Sequence, residues 1–320
     1  PPSRSSFAIQ ALVVKHFMHG GYYPKGGSQE IARCLLRTVA DAGGWTAINA
    51  DVEEILVEDN RATGVRLKGG RIVHAGRVVS AAGVVSTVQR LLPAKHRNQA
   101  WASNVKKLPP ASAHVCLYLG LRGDIREDSC GSANKWFYEV WSSEQEAWDI
   151  SDPDNLPDAP VLYSSFPSLK DPDHDPGPEQ LHTGEVVTFV PWESFAQWKD
   201  ERWHKRGQDY ETLKRKLHDH MLEQFLRHVP GLRDKIAYSE LSTPVSTDHF
   251  VRPMQGSIYG IEPTPERFAN PDLRPRSPIK DLFFAGSEVA SVGVIGAMMG
   301  GVLAATSAEP LGCAKFLRNI

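Results

Sequence analysis

The sequence predicts an α/β protein with α+β elements: cofactor-type segments at both ends of the chain and a mixed-sheet domain inserted between them. Three observations carry this prediction. Near the C-terminus the apolar run Leu282-Phe283-Phe284-Ala285 leads through Gly286, Ser287 and Glu288 into a stretch of small residues, Ser291 to Gly301. Nearer the N-terminus, a helical pattern and short alternating strand patterns follow one another from Ser28 to Gly83. Between these lie β-like runs, Pro/Asp loops and one long amphipathic helix. The segments are read as 1–110, 111–250 and 251–320, the middle one binding substrate.

The 320 residues are 41% hydrophobic and 23% charged, an ordinary globular composition with material for a sizeable core. A net charge of −2 lacks the basic footprint of a nucleic-acid binder, which sets that partner class aside. Cys34, Cys116, Cys130 and Cys313 are widely spaced without a Cys-x-x-Cys pair. They predict neither a zinc site nor a disulfide framework, and a reducing compartment is the default. Pro1-Pro2-Ser3-Arg4 contains no Met and reads as the start of a fragment or processed chain.

Taken in order, Phe7 to Phe17 has a helical rhythm, and Gly20 to Gly27 is a glycine-rich loop. Ser28 is placed to cap a helix with Ile31, Leu35, Leu36 and Val39 on one face, ended by Gly43-Gly44. Trp45 to Ile48 reads as a strand. Val52 to Leu56 and Ala62 to Leu67 read as two more, turned at Glu58-Asp59-Asn60. Ile72 to Ala81 alternates and stops at Ala82-Gly83. In the middle region, His114 to Leu121 and Glu185 to Val190 are β-like. Trp136, Phe137, Tyr138, Trp141 and Trp148 are core material or the lining of an apolar substrate tunnel. Ser151 to Pro160 and Lys170 to Pro178 are loops. Asp209 to His228 is a helix with Leu213, Leu217, Met221, Leu222 and Phe225 on its apolar side, stopped by Pro230-Gly231. Val289 to Ala308 is uncharged for 20 residues, long enough for a membrane span, yet five Ala and four Gly favour a buried helix.

Three segments have the character of a dinucleotide site. In the first, a strand delivers Glu288 to a ribose or ribityl hydroxyl, while Gly286 and Ser287 form the turn. Gly293, Val294, Gly296 and Ala297 open a helix whose N-terminus favours negative charge. A branched side chain at Gly296 is expected to block the cofactor and spare the fold. The competing reading is a structural Gly/Ala helix. In the second, Asn49 to Val52, the backbone at Val52 pairs with an adenine edge. In the third, Ser80 to Gly83, small Ala82 and Gly83 permit close approach. No Gly-x-Gly-x-x-Gly occurs, so the portion that usually binds the pyrophosphate of FAD is expected to lie outside these residues. His218, His220 and His228 lack the spacing of helical metal pairs and read as surface residues. Ser246, Asp248 and His249 have no nucleophile elbow around them and read as loop polar residues.

The run Gly20-Gly21-Tyr22-Tyr23-Pro24-Lys25-Gly26-Gly27-Ser28-Gln29-Glu30-Ile31 resembles the Gly-Gly-x-Tyr-Pro-x-Gly-Gly segment of retinol saturases, the all-trans-retinol 13,14-reductases. These are relatives of carotenoid isomerases and bacterial phytoene desaturases. The resemblance continues through Leu91-Leu92-Pro93, Phe166 to Pro172, Lys205 to Lys214, Gly256 to Gly260 and the closing turn. It departs from the pattern at Ser287-Glu288, where relatives commonly carry Gln-Asp. It implies a Rossmann-like FAD fold of the glutathione-reductase-2 type, lacking its N-terminal unit. It further implies an FAD-dependent oxidoreductase that reduces, desaturates or isomerises a conjugated double bond of an apolar polyene or isoprenoid. NAD(P)H is the implied donor, Tyr259 the candidate acid, and the missing N-terminal portion a required partner. The protein is expected to be soluble or peripheral to a membrane. Two alternatives stay open: a cofactor-free prenyl-binding module like the GDP-dissociation inhibitors, and an amine-oxidase-like flavoenzyme.

Overall fold

The computed structural model describes residues 2–318 other than 143, 145 and 146. It opens with α1 (Phe7–Phe17) and α2 (Gln29–Asp41), neither of which buries a side chain. Ser28 does not cap α2 through its side chain. Its backbone is already helical (φ −61°, ψ −23°), whereas a capping residue needs an extended one to reach the free amides. Trp45 to Ile48, expected as a strand, pairs with nothing among the described residues, and both end residues are exposed. An extended segment without a neighbour has no ladder to hold it.

β1 (Val52–Glu58) and β2 (Arg61–Leu67) form an antiparallel hairpin. Asp59 and Asn60 both take positive φ, 43° and 58°, the geometry of a turn that matches strand twist and that Asp and Asn tolerate. The run from Ile72 breaks into β3 (Ile72–His74) and β4 (Val78–Ser80), because the two serve different sheets. β3 pairs with β2 and leaves β1 as an edge. α3 (Val84–Ser86) runs on into a π-helical turn, Thr87–Leu91, followed by α4 (Ala94–Arg97) and α5 (Ala100–Lys106).

β5 (Ala113–Arg122), β6 (Lys135–Tyr138), β7 (Val161–Ser165) and β8 (Leu181–Val190) come next, then α6 (Gln208–His228) and β9 (Ile236–Ser242). The five strands make an antiparallel sheet in the order β6-β7-β8-β5-β9. α7 (Pro244–Val251) carries Ser246, Asp248 and His249, which are therefore helical rather than in a loop. The chain finishes with α8 (Pro265–Ala269), β10 (Leu282–Phe284), α9 (Gly293–Ala308) and α10 (Pro310–Leu317).

Contacts divide the molecule into two compact units. One joins Val13–Thr46 to Ser112–Phe250; the other joins Arg4–Leu12 and Ala47–Ala111 to Val251–Ile320. Residues 1–110, read as one segment, are thus shared between the units. The reason is local: the Gly26 amide donates to Asp171 at 2.9 Å, and Lys25 pairs with Asp173 at 3.2 Å.

In the sheet unit, Leu217, Met221 and Phe225 of α6 pack with Leu117, Leu119, Leu121 and Val186 of the strands. Each such side chain contributes about 1.5–3 kcal/mol on full burial. Trp148 is buried in this core with its indole N–H donating to the Pro157 carbonyl at 2.7 Å, while Trp136, Tyr138 and Trp141 are exposed. In the other unit, β4 and β10 run parallel with Val78 opposite Leu282 and Ser80 opposite Phe284. Ile55, Val84, Val88, Trp101, Leu282 and Phe284 share its core.

α9 begins at Gly293 and buries one stripe only, Gly296, Gly300 and Ala304. Ile295, Met298, Met299 and Val302 are exposed, so the expectation of a buried helix holds for a single face. No helix among the described residues is long and apolar enough to cross a membrane.

Candidate functional site

Ligands of parallel α/β sheets seat outside the carboxyl ends of the strands, where following turns leave a crevice. β4 and β10 end side by side, and a cavity of about 440 Å³ opens there. The turn after β4 contributes Ala82 and Gly83. The turn after β10 contributes Gly286, Ser287 and Glu288, and the start of α9 contributes Gly293, Val294 and Ala297. Tyr259, half exposed, stands on the remaining wall beside Ser257, Ile258 and Gly260.

Backbone forms much of this wall. Gly293 has φ +81°, and a Cβ added there would meet nothing within 4 Å. Among the described residues no side chain caps α9, so its first amides are open to a ligand, and they carry the positive end of the helix dipole.

Gly296 lies elsewhere. It lines neither this cavity nor its neighbour, and a Cβ on it would fall 1.8 Å from the Ser291 carbonyl oxygen. One turn on, a Cβ at Gly300 would fall 2.1 Å from the Gly286 oxygen. These glycines let α9 lie directly on the turn after β10. The expectation that a branched residue at Gly296 blocks a cofactor and leaves the fold intact gives way to a clash with backbone.

Glu288 is 6% exposed. Its Oε2 accepts from the Val84 amide at 2.5 Å and from the Val85 amide at 3.4 Å, tying the turn after β10 to the start of α3. Burial pushes its pKa up, opposed by these amides and by the positive charge of Arg267. The Ile261 amide also donates to this carboxylate, and since a carboxylate offers about four acceptor positions, these amides do not exhaust it.

Arg267 was not legible as a site residue, since an arginine in Pro265-Glu266-Arg267-Phe268 looks like a surface group. It is 1% exposed and donates to the carbonyls of Ile261, at 2.5 Å, and Ser287. Burial lowers its pKa. Gly260, within the Gly256 to Gly260 stretch of the resemblance, packs against this carboxylate: a Cβ there would lie 2.2 Å from Glu288 Oε1. The wall loops are thus held by one buried carboxylate and one buried guanidinium.

A second cavity of about 250 Å³ contains Val52, with Asp51, Arg90, Leu91 and Arg252 around it. It shares Ala82, Ser86 and Val251 with the first. The open edge of β1 supplies unpaired backbone groups beside it. The three segments read from sequence as cofactor-like therefore fall on two adjoining cavities of one unit. Their small residues, free helix amides and open strand edge fit an elongated dinucleotide such as FAD.

The helical histidines have other partners: His218 faces Asp219 and Ser239, His220 faces Asp158, and His228 faces Glu139. Among the described residues no group of three His, Cys, Asp or Glu is placed to hold a metal ion.

The chain is similar to several known proteins. All-trans-retinol 13,14-reductase of Danio rerio is 32% identical over 313 residues, covering 93% of this chain and 51% of that protein. The neurosporene-forming phytoene desaturase of Cereibacter sphaeroides is 28% identical, covering 81% of this chain and 47% of that protein. An oxidoreductase of known structure from Methanosarcina mazei shares the fold, with a TM-score of 0.54 at 16% identity over 87% of this chain and 53% of its own. The chain spans about half the length of the curated relatives it matches. Residues 2–308 match the model of the flavin containing amine oxidoreductases, and the chain belongs to that family.

Proposed function

We propose that the complete protein is an FAD-dependent oxidoreductase that reduces, desaturates or isomerises a conjugated double bond of an apolar polyene or isoprenoid. The observation that carries this reading is the cavity at the carboxyl ends of β4 and β10, with the uncapped start of α9 on its wall. The kinship to a retinol reductase and a phytoene desaturase supports the substrate class. NAD(P)H as donor, a separate pyrophosphate-binding portion and peripheral contact with a membrane belong to the same proposal.

Bound FAD supplies the hydride chemistry. Val52 and the open edge of β1 would receive the adenine end, and Ala82 and Gly83 admit the chain that follows. Glu288 and Arg267 hold the wall in place, and Glu288 keeps acceptor capacity for a ribityl hydroxyl. The first amides of α9 stabilise negative charge at the flavin edge. Ile258, Val294 and Ala297 exclude water there. Tyr259 lines the cavity and is the candidate proton donor to a substrate carbon.

The visible spectrum of the purified full-length protein tests this reading. A flavin band that bleaches on anaerobic reduction and returns on addition of a retinoid or carotenoid is expected. A colourless protein that binds a prenyl chain would establish the cofactor-free module instead.

A further inference from the structure

Arg252 holds a backbone conformation that side chains avoid, with φ +55°. Such a conformation persists only where the surroundings over-determine it. Here they do. The Arg252 carbonyl accepts from Ser86 Oγ at 3.1 Å and from the Arg90 guanidinium at 3.4 Å. Its own guanidinium forks onto Asp51, Nη1 to Oδ1 at 2.5 Å and Nη2 to Oδ2 at 2.8 Å. All four residues line the second cavity.

The pair joins points some two hundred residues apart in sequence, the residue preceding β1 and the last residues around α7, on the order of the whole chain's fold. Both partners line the cavity beside Val52, Ala82 and Leu91, so the pair ties two parts of its wall together. Ala50, Val52, Ala82, Leu91 and Val251 make part of the wall apolar and the cavity is small, which suits a flat heteroaromatic ring. Arg90 adds a second positive charge beside the pair and favours a ligand carrying phosphate. The Arg252 guanidinium holds the Asp51 carboxyl below its usual pKa, so the pair stays charged at neutral pH.

We propose that the Asp51–Arg252 ion pair is a specificity-determining clasp that closes the second cavity over the adenine end of the cofactor and so selects FAD over flavin mononucleotide. This rests on the reading of the two cavities as one dinucleotide site. A ligand that ends at its first phosphate fills the first cavity only and does not sense the clasp.

The test uses the full-length apoprotein and three variants: Asp51→Asn, Arg252→Gln, and the exchange Asp51→Arg with Arg252→Asp. FAD and flavin mononucleotide are titrated separately against each, followed by quenching of flavin fluorescence, and each variant's melting temperature is taken. The side chains are 33% and 45% exposed, so the loss is set by a screened pair. Each single variant is expected to bind FAD about fivefold more weakly, with flavin mononucleotide unchanged, and the exchange to regain most of the loss. Unchanged FAD affinity in both single variants, or parallel loss of both ligands, overturns the clasp while leaving the cofactor site standing. Wild-type protein that quenches neither flavin overturns the cofactor reading, and the clasp with it.

Discussion

Glu288 illustrates how one buried residue serves two purposes. From the sequence it is an acid after a strand, placed for a cofactor hydroxyl. In the fold, its carboxylate also holds the start of α3 through the Val84 amide. Glu288→Ala leaves that amide buried without a partner, a loss of about 1–3 kcal/mol. The melting temperature of the apoprotein is therefore expected to fall, measured by calorimetry on the full-length protein. Glu288→Gln keeps an acceptor oxygen of the same reach and is expected to preserve most of the stability. Equal melting of wild type and the alanine variant would place Glu288 in cofactor binding alone.

At the level of elements, α9 separates two kinds of apolar residue. Gly296→Val drives a side chain into the Ser291 backbone, and overpacking of this sort costs about 1–3 kcal/mol. Ile295→Gln and Met299→Gln change exposed positions of the same helix and should stay within about 0.5 kcal/mol. Chemical denaturation of the three variants checks the contrast. The sequence could not make this distinction, because α9 contains no charge, and a helix apolar on every side has no periodicity to mark its buried face. Where polar residues interrupt the pattern, more was legible. The hairpin of β1 and β2 was visible through Asp59-Asn60, and α6 through its spaced Leu, Met and Phe. Three segments read from the sequence, two of them for their small residues and one for its backbone, supply part of the walls of the two cavities. Arg267 was hidden, since its role depends on contacts made only after the loops come together.

For the whole molecule, His96, His114 and His182 share one electrostatic consequence. Burial lowers the pKa of all three below 6.5. The folded state holds them neutral, whereas the unfolded chain takes up protons near pH 6.5. The unfolded state then binds more protons, so stability rises with pH through this window and is lost as pH falls below about 6.5. Melting temperatures taken from pH 8 down to pH 5.5 should decline most in the lower half of that range. His182→Gln should flatten the curve, because that ring is fully enclosed beside Ser168 and His174.

The parallel pairing of Val78 with Leu282 bears on how the protein is made. During synthesis β4 leaves the ribosome long before its neighbour exists, and the loop to be closed spans about two hundred residues, an entropic cost that grows only slowly with length. Everything from Ser112 to Phe250 emerges in that interval, and the core from Val115 to Val245 is complete within it. The sheet unit can therefore condense first, while the strands that will carry the cavity wait with an unpaired edge. That waiting period, rather than the finished fold, is when this chain is most open to misassociation and to chaperones.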